Sequence, residues 1–151
     1  MKIMRATLPP DQIIEARVDA IIARGAPLPR WGWKVPGSYN GATGLERVAG
    51  WQKVQIACRE NWMPWPTQCS ICGHDKHLHH HVEIYFRPMM AEQICRSCHY
   101  RVHRRFVDGQ SWLACIPDRY SGWALQIPLV EFTRSEAQAI ALLPGLFNDM
   151  T

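Results

Sequence analysis

The chain lacks a long apolar segment. None of its apolar runs approaches the roughly 20 residues that a membrane-spanning helix needs. The amino-terminal stretch MKIMRATLPPDQ contains no apolar run of signal-peptide length. These two absences predict an intracellular, cytoplasmic protein with no membrane partner. In that compartment, paired cysteines are more often metal ligands or redox groups than structural disulfides.

The chain also has no internal repeat and no low-complexity tract. One short basic stretch, residues 96–105, contains four arginines and no acidic residue. A chain of 151 residues with 47% hydrophobic content fits one compact domain, with or without embellishments at its ends. The basic stretch suits a polyanion, although so short a run is usually a solvated surface. Its arginines are Arg96, Arg101, Arg104 and Arg105.

Helical patterns stand on both sides of the centre of the chain. The segment PPDQIIEARVDAIIARG has an apolar stripe of helical period and predicts a helix that ends at Gly25. Thr43 and Glu46 match a capping box. The helix that follows should run to about Asn61. Its predicted buried residues are Leu45, Val48, Trp51 and Val54.

The carboxy-terminal part is predicted to mix extended segments with a closing helix. SWLACIP and GWALQIPLVEF are short and apolar, which favours strands or extended structure. Thr133 opens a second capping box, TRSE, before a helix that should stop at Pro144 and Gly145. The seven tryptophans of the chain suit packing better than stacking on bases.

Four of the six cysteines form two C-x2-C pairs. Two such pairs can deliver four thiolates tetrahedrally to one zinc ion, which makes a structural Zn²⁺ site the stronger prediction. Two unrelated redox or core pairs are the weaker alternative. The predicted ligands are Cys69, Cys72, Cys95 and Cys98. Cys58 and Cys115 have no partner at ligand spacing and are predicted to be buried core thiols.

All seven histidines cluster in the segment that holds the two cysteine pairs. His99 follows the last of these cysteines, and His103 would lie one helical turn later on the same face, where the two could grip a second metal ion. In HLHHHVEIY, strand structure would place His80 and His81 on opposite faces, as two different roles require. One could bind metal while the other faces a water molecule as general base. His79 would share a face with His81 and has no assigned role.

Together these motifs resemble the HNH nuclease family, of the ββα-metal type with a four-cysteine zinc site. CSICG is similar to the family's first knuckle, HHV to its histidine strand, and ICRSCHYRVH to its second knuckle and metal helix. The resemblance implies an α+β fold, with a treble-clef-like ββα-metal core that is stapled by zinc and flanked by helices. We expect a helical extension over residues 1–66, the core over 67–106 and a small extension over 107–151, in one compact domain.

The resemblance also implies a reaction and a set of roles. It makes His81 the general base and His80 and His99 ligands of a catalytic divalent ion (Zn²⁺, Mn²⁺, Ni²⁺ or Mg²⁺). His103 completes the metal site by similarity to the nuclease colicins. The four arginines would contact DNA phosphates, and the reaction would be phosphodiester hydrolysis in a bacterial or phage-infected cell. Glu83 is either a metal-shell or orienting residue or an exposed strand residue.

One position departs from the family pattern. Met90 stands where the family has an asparagine that helps to orient the general base, and no asparagine occurs between Asn61 and Asn148. Glu92, Gln93 or a backbone carbonyl could substitute. The alternative prediction is therefore a zinc module of the same fold that binds DNA or a protein partner without catalysis. A cysteine-based redox protein is a third and weaker possibility.

Overall fold

A computed structural model describes residues 10–143 of the chain and confirms the coarse class, a mixed α+β fold. Within that range no helix is long and apolar enough to cross a bilayer. The elements are α1 (Asp11–Ala23), α2 (Gly44–Arg59), β1 (Leu78–Val82), β2 (Ala91–Cys95), α3 (Arg96–Arg104), α4 (Gly109–Cys115) and α5 (Arg134–Ala141).

The first helix forms as its pattern predicts. α1 follows Pro10 and buries Ile14 and Val18 on one face. Gly25 has a φ of 80°, the left-handed conformation that glycine adopts without strain, and its N–H donates to the carbonyl of Ile22. The predicted end of this helix is therefore confirmed.

The second helix has the predicted start but a different buried face. The Thr43 side chain accepts from the Glu46 N–H at 3.2 Å, and Glu46 accepts from the Thr43 N–H at 3.0 Å, so the capping box is confirmed. Val54 is buried as expected. Leu45 is 71% exposed, so its predicted burial is wrong. It lies nine residues from Val54, which at about 100° per residue puts it on the opposite side of the helix.

The two strands form one antiparallel hairpin that runs directly into a helix. Leu78 pairs with Cys95 and His80 with Gln93, and β2 ends where α3 begins. Cys95 is the N-cap of α3, and its sulfur accepts from the Cys98 N–H at 3.5 Å. This continuity fixes α3 against the hairpin.

The carboxy-terminal part contains more helix than predicted. SWLACIP lies largely in α4, so its prediction as an extended segment is wrong. Asp108 starts α4 because its carboxylate accepts from the Ser111 N–H at 3.1 Å. GWALQIPLVEF holds a 3-10 turn at Trp123–Leu125 and contains no strand. The Thr133 capping box of α5 is confirmed, whereas Pro144 and Gly145 lie outside the described residues.

Two apolar clusters lie around the hairpin. One joins α1 and α2 to the hairpin region, with Val18, Val54 and Val82 among its buried members. The other packs α3 and the cysteine pairs against the carboxy-terminal segment through Trp112 and Trp123. Cys58 is buried as predicted, but Cys115 is only partly buried. The hairpin thus contributes to both clusters, and α3 packs in the second.

Candidate metal centres

The two cysteine pairs meet at one point, which we call the cysteine cluster (Cys69, Cys72, Cys95 and Cys98). Their sulfur atoms all lie within 4.8 Å of one another, and three of the four residues are buried. In the first knuckle, the Gly73 N–H donates to the Cys69 carbonyl at 3.0 Å, and the φ of Gly73 is 79°. The positive φ explains why glycine follows the first pair.

The geometry of the cysteine cluster suits a zinc ion. Thiolates about 2.3 Å from a tetrahedral zinc lie about 3.8 Å apart, and the sulfurs of Cys72 and Cys95 are 3.7 Å apart. Burial raises the pKa of the Cys69 thiol, but backbone N–H donors, chiefly of Cys72 and Cys95, outweigh it and lower the pKa to about 7. Cys69 therefore favours the thiolate, the form that binds metal, whereas burial raises the pKa values of the Cys72 and Cys98 thiols.

A second group of possible ligands lies where β1 faces α3, and we call it the histidine cluster (His81, His99 and His103). One ring nitrogen of each lies within 4.8 Å of those of the other two. The Nε2 atoms of His99 and His103 are 3.0 Å apart, and the His81 ring lies 5.4 Å and 5.3 Å from those two rings. As predicted, His99 and His103 share one face of their helix.

His81 has one ring nitrogen that is bonded and one that is not. Its side chain is 1% exposed and stacks on Trp123 at 5.5 Å between ring centroids. Nε2 lies 2.7 Å from Oε2 of Glu83, whereas Nδ1 is buried without a hydrogen-bond partner in the protein. A buried, unpaired nitrogen beside two other imidazoles is a group that a metal ion would satisfy.

His79 and His80 lie on opposite faces of β1. His79 is exposed and lies on the same side as His81, with its Nδ1 3.0 Å from Nδ1 of His99. His80, the expected first ligand, is turned away, and its Nε2 lies 3.2 Å from the Pro64 carbonyl oxygen. The structure therefore brings His81, rather than His80, to the two helix histidines, because adjacent strand residues cannot face the same helix.

Glu83 lies at the centre of a buried hydrogen-bond network. It is 2% exposed, and its carboxylate lies 2.7 Å from Nε2 of His81 and accepts from the Tyr39 hydroxyl at 2.8 Å, from the Asn40 amide at 2.7 Å and from Arg105. Burial raises the pKa of Glu83, but hydrogen bonding from His81 and the charges of His81 and Arg105 lower it to about 2. Of the two alternatives for Glu83, the exposed strand residue is excluded.

The four arginines of the basic stretch divide into two kinds. Arg105 is 1% exposed and bonds to Glu83, Tyr39 and the Pro128 carbonyl, so it is not available to a nucleic acid. Arg96 and Arg104 are exposed, and Arg101 is partly so. A cleft of about 360 Å³ on this surface is lined by Ser97, Tyr100, Arg101, Arg104, Asp108 and Ser111. Three of the four predicted phosphate contacts therefore remain accessible.

The electrostatic environment keeps His99 and His103 neutral. Burial, followed by the charge of His81, lowers the pKa of His99 to about 3 and that of His103 to about 2. Arg47 of α2 adds to both shifts and has no ion pair among the described residues. Neutral imidazoles have the free electron pair that a metal needs.

Sequence reasoning missed the residues that the amino-terminal part adds to this site. The ring centroids of Tyr39 and His103 are 4.6 Å apart, and the Asn40 amide donates a hydrogen bond to Glu83. The Arg47 guanidinium lies 5.3 Å from the Tyr39 ring centroid. The loop of Tyr39 and Asn40 and the first turn of α2 are far from the histidines in sequence. One local signal was present in the sequence, because Asn40 and Gly41 are residue types that favour turns. In the structure Asn40 adopts a positive φ in the turn before α2.

Comparisons of this chain with protein-family models, with characterised proteins and with solved structures find no match. The chemistry of the two clusters is therefore the basis for inferring a function.

Proposed function

We propose that the protein is a metal-dependent endonuclease of the HNH type, which hydrolyses phosphodiester bonds in DNA. The observation that carries the proposal is the histidine cluster, where three imidazoles converge and His81 has a buried nitrogen without a partner. The cysteine cluster beside it provides four thiolates for a structural zinc ion. A hairpin followed by a helix, which contribute residues to both clusters, agrees with the ββα-metal arrangement that the resemblance implies.

The residues of the site would divide the work as follows. His81, His99 and His103 would hold a divalent ion, and their imidazole ligands favour zinc, nickel or manganese over magnesium. When bound, the ion supplies charge stabilisation to a phosphate and acidifies water. His81 is buried with its Nε2 committed to Glu83, so its geometry suits a ligand better than the general base that the resemblance implies.

His79 is suited to contact the substrate. If His99 uses Nε2 for metal, its Nδ1 carries the hydrogen and donates to Nδ1 of His79. His79 then carries its own hydrogen on Nε2. Because the side chain is exposed, that N–H can donate to a phosphate oxygen or to the departing 3′ oxygen. Arg47 provides a nearby positive charge, and Arg96, Arg101 and Arg104 provide contacts for the flanking phosphates.

Cleavage of supercoiled plasmid tests this proposal. Purified protein is incubated with plasmid and Mn²⁺, Mg²⁺, Zn²⁺ or Ni²⁺, alongside His103→Ala and the control His80→Ala, whose residue lies on the other face of β1. We expect the His103 variant to lose about a hundredfold or more in rate, because metal stabilisation is worth several kcal/mol. His80→Ala should cleave at nearly the unmodified rate. Cleavage with no ion, or cleavage that survives in His103→Ala, would contradict the proposal.

A zinc-stapled binding module is the second candidate, and Met90 favours it. This residue holds the place of the family's asparagine, and in the structure its N–H only closes a turn to the Arg87 carbonyl at 3.1 Å. A binding module needs one zinc per chain, whereas the nuclease needs a second, exchangeable metal. Metal analysis before and after dialysis against a weak chelator separates the two. One retained metal, with no uptake of another, would favour the module.

A further inference from the structure

The hydrogen on the His81–Glu83 bond can be assigned from the bonds around it. Arg105 Nη1 donates to the Tyr39 hydroxyl oxygen at 2.7 Å, so the hydroxyl hydrogen is free to be donated to Glu83. Arg105 Nη2 and the Asn40 amide also donate to this carboxylate. A carboxylate that receives three such donors is an ionised acceptor. The hydrogen of the His81–Glu83 bond must therefore come from Nε2 of His81.

This assignment determines what His81 presents to the histidine cluster. A neutral imidazole with its hydrogen on Nε2 has a free electron pair on Nδ1. Nδ1 is the buried atom that lacks a hydrogen-bond partner, and the rings of His99 and His103 lie 5.4 Å and 5.3 Å away. A carboxylate that holds the outer nitrogen of a ligating histidine fixes both its tautomer and its ring orientation.

We propose that Glu83 is the positioning residue of the histidine cluster, holding His81 in the Nε2–H tautomer so that Nδ1 is a metal ligand. The proposal rests on the metal site put forward above, but it does not depend on DNA cleavage. The competing explanation is that Glu83 serves only as a buried ion-pair partner that joins the loop at Tyr39 and Asn40 to Arg105. The two explanations differ in what they predict for the protons and the metal affinity of His81.

Nuclear magnetic resonance of the unmodified protein tests the tautomer directly. Protein with ¹⁵N-labelled histidine, and with zinc in the cysteine cluster, is studied by long-range ¹H–¹⁵N correlation, with His81 assigned by comparison with His81→Gln. We expect the Nε2–H tautomer, and on addition of ¹¹³Cd²⁺ a coupling between cadmium and Nδ1. A hydrogen on Nδ1, or coupling to Nε2, would overturn the proposal.

Glu83→Gln and Tyr39→Phe form a matched pair of variants. In Glu83→Gln, the charged Arg105 should take the single oxygen of the introduced amide, which turns the amide NH₂ towards His81. His81 must then accept at Nε2 and carry its hydrogen on Nδ1, where it blocks metal binding. Tyr39→Phe removes a different hydrogen bond from the same carboxylate oxygen, Oε2, and leaves the one from His81 in place.

The measurement is a Co²⁺ titration of the zinc-loaded protein, followed through the visible absorption of the histidine-bound ion. We expect Glu83→Gln to bind Co²⁺ about 10- to 100-fold more weakly, and Tyr39→Phe, which keeps the His81–Glu83 bond, to lose less affinity than Glu83→Gln. Retained zinc and cooperative unfolding report that each variant is folded.

Equal affinities in folded Glu83→Gln and unmodified protein would overturn the proposal, as would the absence of Co²⁺ binding by the unmodified protein. If Glu83→Gln does not fold, the tautomer of His81 in the unmodified protein still tests the proposal. Binding of Co²⁺ without DNA cleavage would refute the proposed nuclease activity but not the role of Glu83.

Discussion

The cysteine cluster and the histidine cluster both draw residues from the hairpin and α3, but they are built in different ways. The cysteines come from two short knuckles whose backbone turns place both sulfurs of each pair. The histidine cluster depends on a strand face, a helix face and a buried carboxylate whose partners are 22 to 44 residues away in sequence. Each cysteine pair is therefore local in sequence and the hairpin brings the two pairs together, whereas the histidine cluster needs contacts from several parts of the fold.

This difference predicts how the protein should respond to damage at each cluster. The cysteine cluster joins the start of the hairpin to the start of α3, so its metal should be needed for the fold. The histidine cluster is surrounded by residues that already pack and bond to one another, so its metal should be needed for function and much less for folding.

The largest effect is expected from loss of a cysteine ligand. Cys98→Ala should abolish zinc retention and the cooperative unfolding of the hairpin and α3, because structural zinc contributes on the order of 10 kcal/mol in small zinc domains. Zinc analysis and circular dichroism during thermal unfolding measure this. Cys115→Ala, outside the cluster and partly buried, is the matched control and should keep both properties. Equal unfolding curves for the two variants would show that the cysteine cluster is not structural.

The same contrast explains what could be predicted from the sequence. The cysteine set, both capping boxes and the end of α1 follow from patterns only a few residues long, and the structure contains each of them. The choice between His80 and His81 could not be made, because alternation in a strand separates two faces without saying which one meets α3. The sequence alone does not distinguish Arg105 from the other arginines of the basic stretch. Its burial depends on Glu83 and Tyr39, the latter 66 residues away.

An intermediate effect is expected from acid. The pKa values of His99 and His103 are lowered to about 3 and about 2, mainly by burial, whereas unfolded histidine titrates near 6.5. Below pH 6.5 the unfolded chain therefore binds protons that the folded chain does not, and the free energy of unfolding should fall as the pH decreases. Each histidine contributes up to about 1.4 kcal/mol per pH unit.

Urea unfolding between pH 7.5 and 5 checks this prediction on protein that carries zinc in the cysteine cluster alone. Stability should be nearly constant above pH 6.5 and should decline below it, and His103→Gln should make the decline shallower because one of the titrating histidines is gone. A decline of the same slope in His103→Gln would mean that the histidine cluster is not its source.

The smallest effect is expected from a feature that belongs to neither cluster. Thr133 caps α5 by accepting from the Glu136 N–H at 3.2 Å, and Thr43 caps α2 in the same way. Replacing either threonine by alanine should lower the free energy of unfolding by about 1 kcal/mol, the usual cost of a lost cap. Urea unfolding measures the cost, and zinc and Co²⁺ titrations should be unchanged in Thr133→Ala.

Thr43 is the more sensitive of the two positions, because it lies between Asn40 and Arg47. A loss of Co²⁺ affinity in Thr43→Ala alone would mean that the histidine cluster depends on the amino-terminal loop as well as on Glu83, and would extend its non-local character to the start of α2.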